Sequence, residues 1–224
     1  MKSFKSWFKF IFIFAAFFLI LLSLGWKTRY NVNLTEFLKE LTIVNVKDNQ
    51  TQTAVWLPFE FNVNAIGDNV GTQMDSSLKS YLIFMVNCSI DRAGRQSFAS
   101  WSQIQNKAFL KGVSLARLKP LTLVPVELGR ELEAIKTAIA ENGGSVADSH
   151  ILVFDINDPN GKALVDTIKR NKLTLILEPS GSFGKAEFTW HTPFDAVTDA
   201  GNCSKCGEKI KAMWYYCPWC GNKL

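Results

Sequence analysis

The sequence predicts an α/β or α+β globular domain built on one sheet, with an apolar helix ahead of it and a small cysteine-bound module behind it. Three observations carry this. Residues Phe10 to Trp26 contain no charge, strand-length apolar runs alternate with helix-period stretches between residues 55 and 195, and two C-x-x-C pairs stand close to the C-terminus. An all-β sandwich is the alternative for the middle domain if the segments around Trp101 and Lys162 are strands.

Lys2, Lys5 and Lys9 make residues 1–9 a basic tail. The seventeen positions from Phe10 to Trp26 reach about 25 Å as a helix, close to the minimum for crossing a bilayer. Trp7, Trp26 and Tyr30 flank the run where amphipathic rings favour the headgroup zone. A cleaved signal peptide shares the basic start, but its apolar region is usually about 7–15 residues, and Ser23-Leu-Gly25 is a poor cleavage site. Residues 10–26 are therefore expected as a transmembrane helix and the chain as a single-pass membrane protein. Lysines and arginines tie across the span, so they do not orient it; four reduced thiolates persist most easily in a reducing compartment and favour a body facing the cytoplasm.

Residues 27–54 are polar and short of aromatics and read as a linker. The domain spans 55–195, enough chain to bury a core without disulfides. Val55, Leu57, Phe59, Phe61 and Val63 alternate, predicting a strand that Pro58 places at an edge. Tyr81–Val86 is a continuous apolar run suited to a central strand, with Cys88 just past it as a buried thiol. Trp101, Ile104 and Ala108 fall at helical spacing, with Ser100 or Ser97 as cap, and Leu121–Val126 reads as a strand. Leu128, Leu132, Ile135 and Ile139 then recur in steps of four, three and four, with acids early and Asn142 where a C-cap belongs, predicting a helix. Ile151–Phe154 is a buried strand followed by a turn at Asn157–Gly161. Lys162–Arg170 suits a short helix or a strand, and periodicity does not decide it. Leu173–Leu177 and Ala186–Trp190 are the last strands, and 196–202 is a hinge.

Cys203-Ser-Lys-Cys206 and Cys217-Pro-Trp-Cys220 are separated by ten residues, a spacing that brings four thiolates to one tetrahedral metal site. Gly207 and Gly221 follow directly, where a tight knuckle needs positive φ. This segment, closing with Cys-Pro-Trp-Cys-Gly-Asn-Lys-Leu, resembles the zinc-ribbon family over residues 203–224. The resemblance implies zinc held by Cys203, Cys206, Cys217 and Cys220, and implies no reaction. Four thiolates close the coordination shell, whereas catalytic zinc keeps a position open for water. Two disulfides or redox pairs remain an alternative use of the cysteines.

The middle domain yields no enzyme that can be named. Gly181-Ser-Phe-Gly184-Lys185 has the wrong glycine spacing for a phosphate loop, and the Asp155–Gly161 stretch lacks the register and distal glutamate of a calcium loop. Asp155, Asp158 and His191 are the least implausible catalytic groups. Net charge is +5, and four lysines against Glu208 concentrate +3 of it in the module, interleaved with aromatics. Lys205, Lys209, Lys211, Trp214, Tyr216 and Trp219 are the candidate contact residues, suited to a protein partner or, second, to nucleic acid. The expected role is a binding or assembly component of a membrane-associated complex rather than a catalyst.

Overall fold

Two antiparallel sheets share one aromatic core, and that arrangement follows from where the longest apolar strand finds its neighbours. In the computed structural model the described residues are 32–66, 78–112, 117–142, 144, 146–198 and 201–224, all within one unit, Val32–Leu224. Helix α1 (Leu34–Leu41) opens it, capped by Asn33, whose Oδ1 accepts the Glu36 N–H at 3.2 Å. Strands β1 (Thr42–Lys47) and β2 (Gln50–Leu57) form a hairpin, and α2 (Phe59–Ile66) follows. Strand β3 (Tyr81–Arg92) is the spine of the first sheet. One edge pairs with β2; the other pairs with β6 (His150–Asp155) over its first half and with β4 (Arg95–Phe98) over its second.

The second sheet is β5 (Ala108–Lys111), β7 (Asn171–Leu177) and β8 (Ala186–Thr192), with β7 central. Helices α3 (Trp101–Gln105) and α4 (Gly129–Glu141) complete the domain. Along β8 the side chains alternate buried and open: Ala186, Phe188, Trp190 and Thr192 face inward, Glu187 and His191 outward. Trp190 meets Trp56 of β2 edge-on at 6.1 Å and Phe84 of β3 at 5.4 Å, so the two sheets interlock through indoles and phenyl rings. Its Nε1–H donates to Leu41 O at 2.8 Å, satisfying a buried polar atom.

The expected single sheet is therefore two, and the all-β alternative is excluded by α1, α2 and α4. The spanning helix is also corrected. No helix among the described residues is long and apolar enough to cross a membrane; α4, with 13 residues, reaches only about 20 Å and has one buried face. The run from Phe10 to Trp26 lies outside the described residues. The structure gives the single-pass membrane localisation no support, and the body orientation argued from it lapses as well.

Further differences have local causes. The stretch read as a linker carries α1, β1 and the first half of β2; its polar residues suit β1, an exposed edge strand. The alternation from Val55 does not run on to Val63. Pro58 has no N–H to continue the ladder, which ends where Leu57 faces Ile83, and Pro58 O instead accepts the Asn62 N–H of α2 at 3.0 Å. Helix α3 stops at Gln105, so Ala108 begins a strand. Leu121–Val126, preceded by Pro120 and interrupted by Pro125, forms no strand: Leu121 N–H donates to Val153 O at 2.8 Å while Leu123 and Val126 stay exposed. Residues 162–170 are turns that bury Leu164 and Val165.

Candidate metal centre

The C-terminal module is built from two copies of one knuckle, fourteen positions apart. In the first, Cys203 N–H donates to Glu208 O and Gly207 N–H to Cys203 O, both at 2.8 Å; in the second, Cys217 N–H donates to Asn222 O and Gly221 N–H to Cys217 O, again at 2.8 Å. Gly207 and Gly221 have φ of 76° and 69°, which a side chain resists. Bridges Asn202–Lys209 and Tyr216–Lys223 close the two turns. Each knuckle thus offers two sulfurs to a common point.

The four Sγ atoms of Cys203, Cys206, Cys217 and Cys220 lie within 4.8 Å of one another. Across the knuckles, Cys203 and Cys220 are 3.7 Å apart and Cys206 and Cys217 3.6 Å. A tetrahedral ion with metal–sulfur bonds of about 2.3 Å sets its sulfurs about 3.8 Å apart, so the cluster fits a metal ion such as zinc. A disulfide needs about 2.05 Å, and all four cysteines are unpaired in this structure. Cys203 and Cys217 are buried, Cys220 is half-buried and Cys206 is exposed.

Electrostatics point the same way. Backbone N–H groups of Cys206 and then Lys205 converge on the Cys203 sulfur and lower its pKa to about 6. The Glu208 amide acts similarly on Cys206, but partial desolvation by the cluster and hydrogen bonds from the three neighbouring thiols outweigh it and push that thiol up to about 12. Cys220 is also raised: the Asn222 amide and then the Cys206 thiol act to lower it, and desolvation with the Cys217 and Cys203 thiols outweighs them. The cluster thus holds a thiolate readily at Cys203 and resists ionisation at Cys206 and Cys220 until a cation compensates it.

The module is fastened to the domain by groups that sequence reasoning did not single out. Asp195 Oδ1 accepts the Ala212 N–H at 2.8 Å, and Arg170 places its guanidinium 4.7 Å from the centre of the Tyr215 ring. No local pattern marked Arg170 or Asp195, because each acquires its partner only through the fold. Trp214 and Trp219 meet edge-on at 5.4 Å and, with Lys209 and Lys211, line a recess of about 580 Å³ whose domain side carries Glu40 and Asp195. Lys211 thus faces carboxylates of its own chain. The Glu40 carboxyl is raised by burial, against the Ala196 N–H it accepts, and by Asp195, with Lys211 opposing. Lys205 is exposed on the first knuckle, Trp219 is 56% exposed and Tyr216 61%.

The catalytic candidates do not converge. Asp155 and Asp158 line one recess and His191 another. Asp158 Oδ1 accepts the N–H groups of Asn160 and Lys162, both at 2.9 Å, so it organises its own turn. His150 Nε2 is 2.8 Å from Ala99 O, and Cys88 is buried.

No protein-family model and no curated protein matches the chain. A crystal structure of a DUF4426 family protein from Pseudomonas aeruginosa matches at 10% identity over 68% of this chain and 93% of that one, with a TM-score of 0.31, a likeness that carries no argument.

Proposed function

We propose that the C-terminal module is a zinc ribbon whose metal is structural, and that the chain is a binding or assembly component making contact with a protein partner through this module. The observation behind the reading is the convergence of four sulfurs, at 3.6 and 3.7 Å across the knuckles, in a segment with almost no apolar core of its own. A tail that small needs a staple, and four thiolates leave no open position for a reacting water. Tyr216 and Trp219 are more than half exposed, and exposed aromatic rings are enriched at protein contacts; Lys205 and Lys209, exposed on the first knuckle, suit the polar rim of such a face. Lys211 and Trp214, turned into the recess with Glu40, would form its inner rim.

Metal analysis of the purified chain, paired with copurification, tests both halves. One zinc per chain is expected, lost on replacing Cys217 by serine. Tyr216→Ala with Trp219→Ala should release a partner that the wild type retains, with zinc content unchanged. Zinc near zero in reduced, folded protein overturns the metal; full partner yield with the double variant overturns the contact face. Binding that collapses steeply with salt and carries nucleic acid would reassign the partner.

A further inference from the structure

The outer face of the second sheet carries a basic groove that the cysteine module walls on one side. Its floor is the outward row of β7 and β8, Thr174 and Thr189, whose hydroxyls pair at 3.0 Å. Lys111 at the end of β5, Arg117, Arg170 and Lys172 surround that floor, and Met213 and Tyr215 supply the module's wall. The volume is about 700 Å³. Gly112 sets the rim, because a Cβ there would run into the Leu164 backbone carbonyl. Four cations face one lining carboxylate, Glu187, which pairs with Lys185 at 2.7 Å outside the lining.

The four cations are not equally available. Arg117 reaches Glu178 at 3.4 Å, and Arg170 is held on Tyr215 with its Nε–H donating to Ala212 O at 3.4 Å. Among the described residues, Lys111 and Lys172 have no carboxylate at ion-pair distance. Cations gathered in a concave polar site, with hydroxyls beneath them, repel one another until an anion enters. Too large for one phosphate and carrying a lining charge of about three positive, the groove calls for a compact ligand of several negative groups.

We propose that this groove binds a short phosphate chain, either a free oligophosphate or the polyphosphate tail of a nucleotide. Lys111 and Lys172 meet the charge, the two arginines offer planar donor forks suited to phosphate oxygens, and the Thr174–Thr189 hydroxyl pair, one O–H of which is spent on the other, leaves one O–H to donate from the floor. None of the residues assigned to protein contact above lines the groove, so the two readings fail independently.

Calorimetry on the zinc-loaded full chain at physiological salt, with inorganic tripolyphosphate as titrant, tests it. One site per chain is expected. The pair Lys111→Ala and Lys172→Ala should weaken binding at least tenfold, and Glu187→Gln should tighten it about threefold by removing the opposing charge. Citrate should bind at least tenfold more weakly. An ATP arm separates the sources: affinity above that of tripolyphosphate assigns a nucleotide, affinity below it a free chain. Absence of saturable binding, citrate matching tripolyphosphate, or wild-type affinity in the double variant overturns the proposal. If the double variant unfolds, Glu187→Gln decides alone, and unchanged or weaker binding overturns the site.

Discussion

Arg170 and Tyr215 meet across the seam between the domain and the cysteine module, with the guanidinium carbon 4.7 Å from the ring centre. The same arginine donates through Nε to Ala212 O at 3.4 Å, and Asp195 accepts the N–H of that alanine at 2.8 Å. The backbone of Ala212 is thus held by the domain through both its N–H and its C=O. Arg170→Ala should cost about 0.5–1 kcal/mol and speed hydrogen exchange at Ala212 and Trp214. Zinc content should not change, because the knuckles close through their own hydrogen bonds. Exchange as slow as in the wild type would show that Arg170 does not hold the module.

Metal affinity should fall steeply with acid. Cys206 and Cys220 are held protonated near neutrality while Cys203, at about 6, is already a thiolate above that pH. Zinc must displace at least two protons there, so apparent affinity should drop by at least about a hundredfold per pH unit between pH 8 and pH 6, and more steeply below as Cys203 also protonates. Competition with a chromogenic chelator measures it. A slope below tenfold per unit would mean that fewer thiols than four hold the ion.

Cys88 should be inert in the folded protein. Burial pushes its thiol up to about 12, whereas an unfolded thiol ionises at about 8.5. Alkylation by iodoacetamide at pH 8 should spare Cys88 until denaturant is added. The stability consequence appears only in alkali: below the unfolded pKa both states hold the proton, and above it the unfolded thiolate is favoured and stability declines. Modification at the rate of a free thiol would place Cys88 at the surface.

Trp190→Phe removes the donor to Leu41 O and leaves space among Trp56, Phe84 and Phe188. A buried carbonyl without its partner, plus a cavity, should cost about 2–4 kcal/mol. Chemical denaturation should show a lower midpoint with an unchanged slope. A loss under 1 kcal/mol would mean that the sheets do not depend on this indole.

Legibility followed locality. The metal ligands lie within eighteen positions of one another, and each knuckle is closed by hydrogen bonds spanning five or six residues, so spacing alone located the cluster. Strand β3 and helix α4 were legible for the same reason, one a continuous apolar run and the other a repeat of the helical period. Residues 59–63 were misread because Phe59, Phe61 and Val63 satisfy a period of two while the chain turns at Pro58 into a helix that buries Phe61 completely. The polar hairpin of β1 and β2 gave no apolar signal, since β1 is an edge and β2 takes its order from backbone pairing with β3.

By itself the sequence determined the four-sulfur cluster, the spine of the first sheet, the long helix and the buried state of Cys88, because each rests on neighbours close in the chain or on a repeating apolar pattern. Only the tertiary structure decided that β5, β7 and β8 make a second sheet, since β5 and β7 are separated by residues 112–170, which no local pattern relates. It also decided that Asp155, Asp158 and His191 stay apart and that Lys111, Lys172 and Arg170 share one groove. Charges carry no periodicity, so their convergence becomes readable only when the backbone ladders that place them have formed.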